Sequence, residues 1–205
     1  MKNTSTIALL VVVVALAFTR TVAAAETGSK PAASKGVAVV FVGLDDKALA
    51  DQVVAFMATN LRCPVRQLPT ITQIEKDPGK EAEALSKRME VQDGMLIALF
   101  NVPEKVSFAG GTFQTKNVAM VNIRHLRPEP LDGELAQQTY LWRVEKESMR
   151  AVALLAGAQD CPFPRCAIFA AKNDPELDRK ARNFCPPCYG KVESLLKARG
   201  ITVAE

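Results

Sequence analysis

Three apolar segments of the chain have the length and composition of β-strands. Residues 37–44 are almost continuously apolar and contain four valines, and residues 95–100 form a second run of the same kind. Such runs are typical of strands that are covered on both faces. Residues 118–123 alternate instead, which predicts a strand with one half-exposed face. A short extended piece is expected at residues 64–69, which begin and end in proline.

Helical periodicity follows the first strand and dominates the C-terminal half. Asp45 or Asp46 can cap a first helix, whose apolar face holds Leu49, Val53, Phe56 and Met57. Residues 80–89 are polar and predict a surface helix. Gly157 is placed to end a long helix in a left-handed cap. That helix is predicted over residues 132–156, and its packed face holds Leu135, Thr139, Trp142, Met149, Val152 and Ala156.

Alternating strands and helices, followed by a long helix and a cysteine-rich tail, predict an α/β domain over residues 36–205. We expect a mixed twisted sheet with packed helices and a small metal-binding subdomain at residues 158–205. The formal net charge is only +4 and is scattered along the chain. Nucleic-acid binding is not expected, because no basic patch with interleaved aromatic residues is present.

The N-terminus has the layout of an export signal. Lys2 precedes an apolar run at residues 7–18, and Ala23, Ala24 and Ala25 supply the small residues that signal peptidase recognises. Residues 1–25 are therefore predicted to be a signal peptide, followed by a flexible linker at residues 26–35. The protein is expected to be periplasmic or secreted, with no membrane attachment after cleavage. A retained N-terminal anchor is the alternative.

Four of the five cysteines form two close pairs. Cys161 and Cys166 are separated by four residues, and Cys185 and Cys188 by two, with eighteen residues between the pairs. This spacing suits one tetrahedral zinc ion held by four thiolates. Two disulfides are the alternative, because export to an oxidising compartment favours them. A redox-active Cys185–Cys188 pair is a further possibility. The fifth cysteine, Cys63, is expected to be a buried apolar residue.

The cysteine-rich tail resembles that of the archaemetzincins, zinc metallopeptidases of the metzincin type. Their motif reads H-E-x-x-H-x-x-G-x-x-H-C-x4-C-x-M, followed by C-x-x-C. Gly157 matches its glycine, Cys161 and Cys166 match C-x4-C, and Cys185 with Cys188 matches C-x-x-C. Fainter similarity extends upstream, to residues 108–111, 118–126 and 143–147. The resemblance implies a metzincin-like fold with a long active-site helix and one structural zinc.

The chain departs from the motif where the chemistry lies. The three histidine positions are occupied by Arg150, Leu154 and Asp160, and the glutamate position by Ala151. The methionine position is Ile168. In the family, three neutral imidazoles hold the catalytic zinc and the glutamate takes a proton from the metal-bound water. The resemblance therefore implies a pseudo-metallopeptidase without catalytic residues, which keeps only its structural zinc.

Other candidate groups provide little chemistry. His125 is the only histidine, which excludes any histidine pair, and a surface or capping role is expected for it. Glu145 and Glu147 on the long helix are expected to face solvent. Gly110 and Gly111 are expected to form a turn or an edge bulge.

Two functional readings follow. The first is a binding or structural protein that takes an extended peptide or protein partner by strand addition, with residues 118–123 as the candidate edge. The alternative is an enzyme of unrelated chemistry with disulfide-paired cysteines. That enzyme would be either a thiol oxidoreductase at Cys185 and Cys188 or a metal-independent hydrolase.

Overall fold

A computed structural model describes residues 34–102, 110–129 and 133–204 of the 205-residue chain. The predicted signal peptide and all but the last two residues of the predicted linker lie outside these residues, as does Asp132 at the predicted start of the long helix. No helix within the described ranges combines the length and the apolar character that crossing a bilayer requires.

Five strands form one mixed sheet in the order β2-β1-β3-β5-β4. The strands are β1 (Gly36–Val42), β2 (Val65–Gln67), β3 (Asp93–Phe100), β4 (Gly110–Phe113) and β5 (Val118–Asn122). Neighbouring strands are parallel except β4, which pairs antiparallel with β5. Every residue of β1 and β3 is buried, which confirms that the two continuous apolar runs are central strands.

The prediction that residues 118–123 form an exposed edge is wrong. β5 lies between β3 and β4, and four of its five residues are buried. The edge on this side is β4, whose sequence Gly-Gly-Thr-Phe lacks the β-branched pattern of a strand. Gly110 has φ +103°, and a Cβ there would lie 2.7 Å from the carbonyl oxygen of Met120. Glycine thus lets the edge strand approach β5 closely.

Five helices cover the two faces of the sheet. They are α1 (Lys47–Leu61), α2 (Pro78–Ser86), α3 (Glu134–Ala156), α4 (Asp174–Arg179) and α5 (Pro186–Ala198). Asp46 caps α1 by accepting a hydrogen bond from the amide of Leu49 at 2.9 Å. α1, α3 and α5 contribute to the core on one face, together with Val37, Val39 and Phe41, whereas α2 packs on the other.

The buried face of α3 differs in part from the predicted one. Met149, Val152 and Ala156 are buried as expected, but Leu135 is 78% exposed and Trp142 is 41% exposed. Glu145, predicted to face solvent, is buried instead. The chain that follows α3 folds back over this polar side of the helix, which a periodicity argument on one helix cannot foresee.

Gly157 ends α3 as predicted, with φ +108°. Its amide donates to the carbonyl of Leu154, and the amide of Ala158 donates to the carbonyl of Ala153. This left-handed termination reverses the chain sharply. As a result, the first residues of the cysteine-rich segment return along the helix toward Arg150.

Candidate metal centre and adjoining cleft

The four predicted metal ligands converge on one point. The Sγ atoms of Cys161, Cys166, Cys185 and Cys188 all lie within 4.8 Å of one another. The Sγ atoms of Cys161 and Cys185, one from each sequence pair, are 3.9 Å apart. A disulfide needs about 2.05 Å, so this contact is not a covalent bond. All four of these cysteines are free thiols, so they form a single four-thiol cluster and not two disulfides.

Local backbone geometry places each thiol. Cys185 is the N-cap of α5, and the prolines after it start the helix, so that Cys188 lies in its first turn. The amide of Cys185 donates to the Sγ of Cys166 at 3.4 Å. Two backbone hydrogen bonds, from Ala167 to Asn183 and from Ala181 to Arg165, hold the loops of the two pairs together.

The cluster fits one zinc ion. Four sulfurs at about 2.3 Å from a tetrahedral metal are separated by about 3.8 Å, close to the observed contact. Burial raises the pKa of the Cys166 and Cys188 thiols. Burial also opposes ionisation of Cys185, but hydrogen bonds from the backbone and thiol of Cys188 outweigh it and lower its pKa. A bound cation would favour the thiolate form of the two cysteines whose pKa is raised, and the donor set is compatible with binding one zinc.

The fifth cysteine is separate from this cluster. Cys63 is buried in the core, as predicted, and burial raises its pKa to about 11.

Buried charges attach the cysteine-rich subdomain to α3. Arg143 donates from Nε and Nη2 to the two carboxylate oxygens of Asp178, each at 2.7 Å, and from Nη1 to Asp174 at 2.7 Å. Lys146 donates to the carbonyls of Leu177 and Asp178, each at 3.0 Å. These contacts satisfy cations that would otherwise be costly to bury.

The positions at which the resemblance expects zinc-binding imidazoles lie close together, two in the last turns of α3 and one just beyond it. Arg150 Nη2 donates to Asp160 Oδ1 at 2.6 Å, and its Nε lies 3.4 Å from the carbonyl oxygen of Ile168. Leu154 is one helical turn beyond Arg150. Two of the three positions expected to hold imidazoles are thus joined by an ion pair.

A cleft opens beside this ion pair. One cavity, with a volume of about 280 Å³, is lined by β4, β5 and α3, and includes Arg150, Ala151 and Leu154. A second, of about 310 Å³, extends toward α4 along residues 170–174. Both cavities are lined by His125 and Arg150, so the two adjoin at these side chains. His125 is exposed, in agreement with a surface position, and it lies in a short 3-10 turn after β5.

Glu147 was predicted to face solvent, but its side chain lines both cavities. Its Oε1 accepts a hydrogen bond from Lys180 Nζ at 2.7 Å, and the Lys180 side chain is fully buried. Sequence reasoning missed Lys180 because its partner lies 33 residues earlier in the chain. A local signal is the row of charged residues at helical spacing, Arg143, Lys146, Glu147 and Arg150, on the predicted long helix.

Comparison with solved structures finds the same fold. A zinc-dependent peptidase from Methanocorpusculum labreanum aligns with a TM-score of 0.62 and 19% identity, over 77% of this chain and all of that one. Archaemetzincin from Methanopyrus kandleri aligns with a TM-score of 0.61 and 19% identity, over 82% of this chain and 98% of that one.

Archaemetzincin from Archaeoglobus fulgidus, in complex with malonate, aligns with a TM-score of 0.57 and 13% identity, over 76% of this chain and 99% of that one. No protein-family model matches the sequence, and no curated protein matches it either. The fold is therefore archaemetzincin-like, at sequence identities below 20%.

Proposed function

We propose that this archaemetzincin-like protein is exported, is not a peptidase, holds one structural zinc in its four-cysteine site and acts by binding an extended peptide. The observation that carries the proposal is the Arg150–Asp160 ion pair. It occupies two of the three positions at which the resemblance expects zinc-binding imidazoles. One of the similar structures is a zinc-dependent peptidase, but we do not propose that activity for this chain.

The donor set at the end of α3 does not suit a divalent cation. Arg150 presents a positive charge that repels a metal, and Leu154 presents no donor atom. Asp160 is a single carboxylate that is already paired. With His125 as the only imidazole in the sequence, a three-histidine site is unattainable. Ala151 also leaves no general base at the glutamate position.

The four-cysteine site supports a structural role for the remaining metal. All four ligand positions are protein thiols, which leaves no open position for substrate or water. The cluster links the segment after α3 to the start of α5. Zinc in such a module contributes on the order of 10 kcal/mol to folding, so its loss would release the whole subdomain.

The edge strand supports peptide binding. Among the residues that the structure describes, β4 pairs only with β5, which makes the other side of its backbone the candidate edge for strand addition. Gly110, Gly111 and Thr112 of β4 also line the cavity of about 280 Å³ beside α3. An extended peptide paired with β4 would therefore place alternate side chains in the cavity that contains Arg150.

Three measurements on the protein test the proposal. Elemental analysis is expected to give one zinc per chain, and incubation with a mixture of unlabelled peptides is expected to give no cleavage products by mass spectrometry. N-terminal sequencing of protein recovered outside the cytoplasm is expected to start at Glu26.

The alternative functions predict different results. A reducible disulfide without zinc would favour a thiol oxidoreductase at Cys185 and Cys188. Peptide cleavage that survives a chelator and disappears in a His125→Ala variant would favour a metal-independent hydrolase. An Arg88→Ala variant, altered on the opposite face of the sheet, serves as the control for nonspecific loss of activity.

A further inference from the structure

Arg150 lies where the two cavities of the cleft adjoin, and its guanidinium is only partly used. Nη2 donates to Asp160 at 2.6 Å, and Nε makes a long contact of 3.4 Å with the carbonyl of Ile168. Within the described ranges, Nη1 has no hydrogen-bond partner. The side chain is 24% exposed, so an incoming ligand can reach it.

The two carboxylates that line the cleft, Glu147 and Asp174, are already paired with cations. The Glu147 carboxylate accepts from Lys180, and Asp174 accepts from Arg143, each at 2.7 Å. His125 lines both cavities and has no partner among the residues that the structure describes. The donors left for a ligand are therefore a guanidinium N–H and an imidazole, with the exposed Lys172 at the far end.

A guanidinium beside an imidazole recognises a particular chemical group. The N–H groups of Nη1 can donate to a carboxylate oxygen, and the hydrogen bond that results is charge-assisted and stronger than one to a neutral group. A cation with an unused donor at the wall of a half-enclosed cavity therefore favours an anionic ligand group over a neutral amide.

We propose that Arg150, together with His125, forms a subsite for a carboxylate of the peptide that lies along β4. The inference rests on the proposed peptide binding, and it names the chemical group that gives this binding its specificity. The carboxylate is supplied either by the C-terminus of the peptide or by an acidic side chain. Asp160 has a positioning role: it orients the guanidinium from the turn that immediately precedes Cys161.

Nuclear magnetic resonance of the zinc-loaded, 15N-labelled protein tests the subsite with three probes. They are N-acetyl-trialanine as the free acid, the same peptide as its C-terminal amide, and an amidated peptide with a central glutamate. We expect the free acid or the glutamate peptide to shift the Arg150 Nε–H resonance and the amides of Gly111 and Thr112. The affinity is expected to exceed that of the trialanine amide at least tenfold.

Substitutions then assign the effect to the guanidinium. Arg150→Gln is expected to remove the preference for the carboxylate. Arg150→Lys is expected to retain part of it, because lysine keeps the charge but not the rigid set of donors that can hold Asp160 and the ligand at once. Arg88→Gln, the same change on the opposite face of the sheet, is expected to leave the preference intact.

The outcomes separate this inference from the function on which it rests. Equal shifts of the β4 amides by all three peptides would leave peptide binding standing and overturn the carboxylate subsite. A carboxylate preference that persists in Arg150→Gln would also overturn it. If no peptide shifts the β4 amides, both proposals fail. A preference for the glutamate peptide alone would retain the subsite and assign the carboxylate to a side chain.

Discussion

The guanidinium of Arg150 on α3 donates to the carboxylate of Asp160 at 2.6 Å across the left-handed turn at Gly157. The pair brings the first and third histidine positions of the archaemetzincin motif within contact distance. The scaffold that places those two positions side by side is therefore present, although the side chains now attract each other and not a metal ion.

Restoring the motif is expected to restore a second metal site. A variant with Arg150→His, Ala151→Glu, Leu154→His and Asp160→His places two imidazoles one helical turn apart and the third beyond the turn, as a tetrahedral zinc with one open position requires. Elemental analysis should give two zinc ions per chain, against one for the single Arg150→His variant. If the restored variant retains one zinc, the backbone at the end of α3 differs from that of the metal-binding family.

We expect thiol reactivity to separate the four clustered cysteines from Cys63. In the zinc-loaded protein we expect no alkylation by iodoacetamide at pH 8, because the four clustered thiolates are metal-bound. Cys63, with a pKa of about 11, has about one thiolate in a thousand at that pH. A chelator should expose four thiols, identified by peptide mass spectrometry.

Cys63 should respond to pH instead. Its pKa is raised above the ordinary value, so the reactive thiolate grows about tenfold per pH unit up to about pH 11. Rapid labelling of Cys63 at pH 8 in the folded, zinc-loaded protein would contradict the burial on which this expectation rests. Cys63→Ala serves as the control, since it removes only the fifth site.

Removing only one partner of the buried Lys180–Glu147 pair should lower the free energy of unfolding. Lys180 is fully buried and Glu147 is 19% exposed, so Lys180→Met leaves a largely buried carboxylate without its cation. We expect a loss of about 3 kcal/mol in the free energy of unfolding, measured with urea. The double variant Lys180→Met, Glu147→Gln should recover most of it, because both charges are then absent. A double variant as unstable as the single one would show that packing, and not charge, determines the loss.

The two glycines of the edge strand should respond differently to alanine. Gly110 has φ +103°, and a Cβ would meet the carbonyl oxygen of Met120 at 2.7 Å, so Gly110→Ala is expected to loosen β4 at a cost of about 1–3 kcal/mol. Gly111→Ala is the matched control, because its Cβ would make only an ordinary contact with Phe113 at 3.6 Å. Hydrogen exchange of the β4 amides should quicken in the first variant only; equal rates in both would exclude a tight approach at Gly110.

Part of the fold could be predicted from the sequence, because it depends on the local pattern of residue types. The apolar runs at residues 37–44 and 95–100 predicted β1 and β3, since a strand covered on both faces needs no polar alternation. The cap at Asp46 and the stop at Gly157 followed from the conformations that these residue types favour. The cysteine spacing predicted a single cluster, which the structure brings together.

The remainder depended on which segments meet in three dimensions. β4 could not be predicted, because its four residues carry no strand pattern and are held by pairing with β5. The burial of Glu145 and the pairing of Glu147 with Lys180 also depended on a segment more than thirty residues away.

The sequence alone determined which residue types stand at the cysteine and histidine positions of the motif, because the residue type fixes the donor atoms that a side chain can offer. The tertiary structure decided that Arg150 and Asp160 meet, that β4 and not β5 is the edge, and that His125 and Arg150 line one cleft. The last two join segments distant in sequence, which the folded core and not local pattern brings together. Arg150 and Asp160 are only ten residues apart, but they meet because the chain reverses at Gly157 and returns along α3.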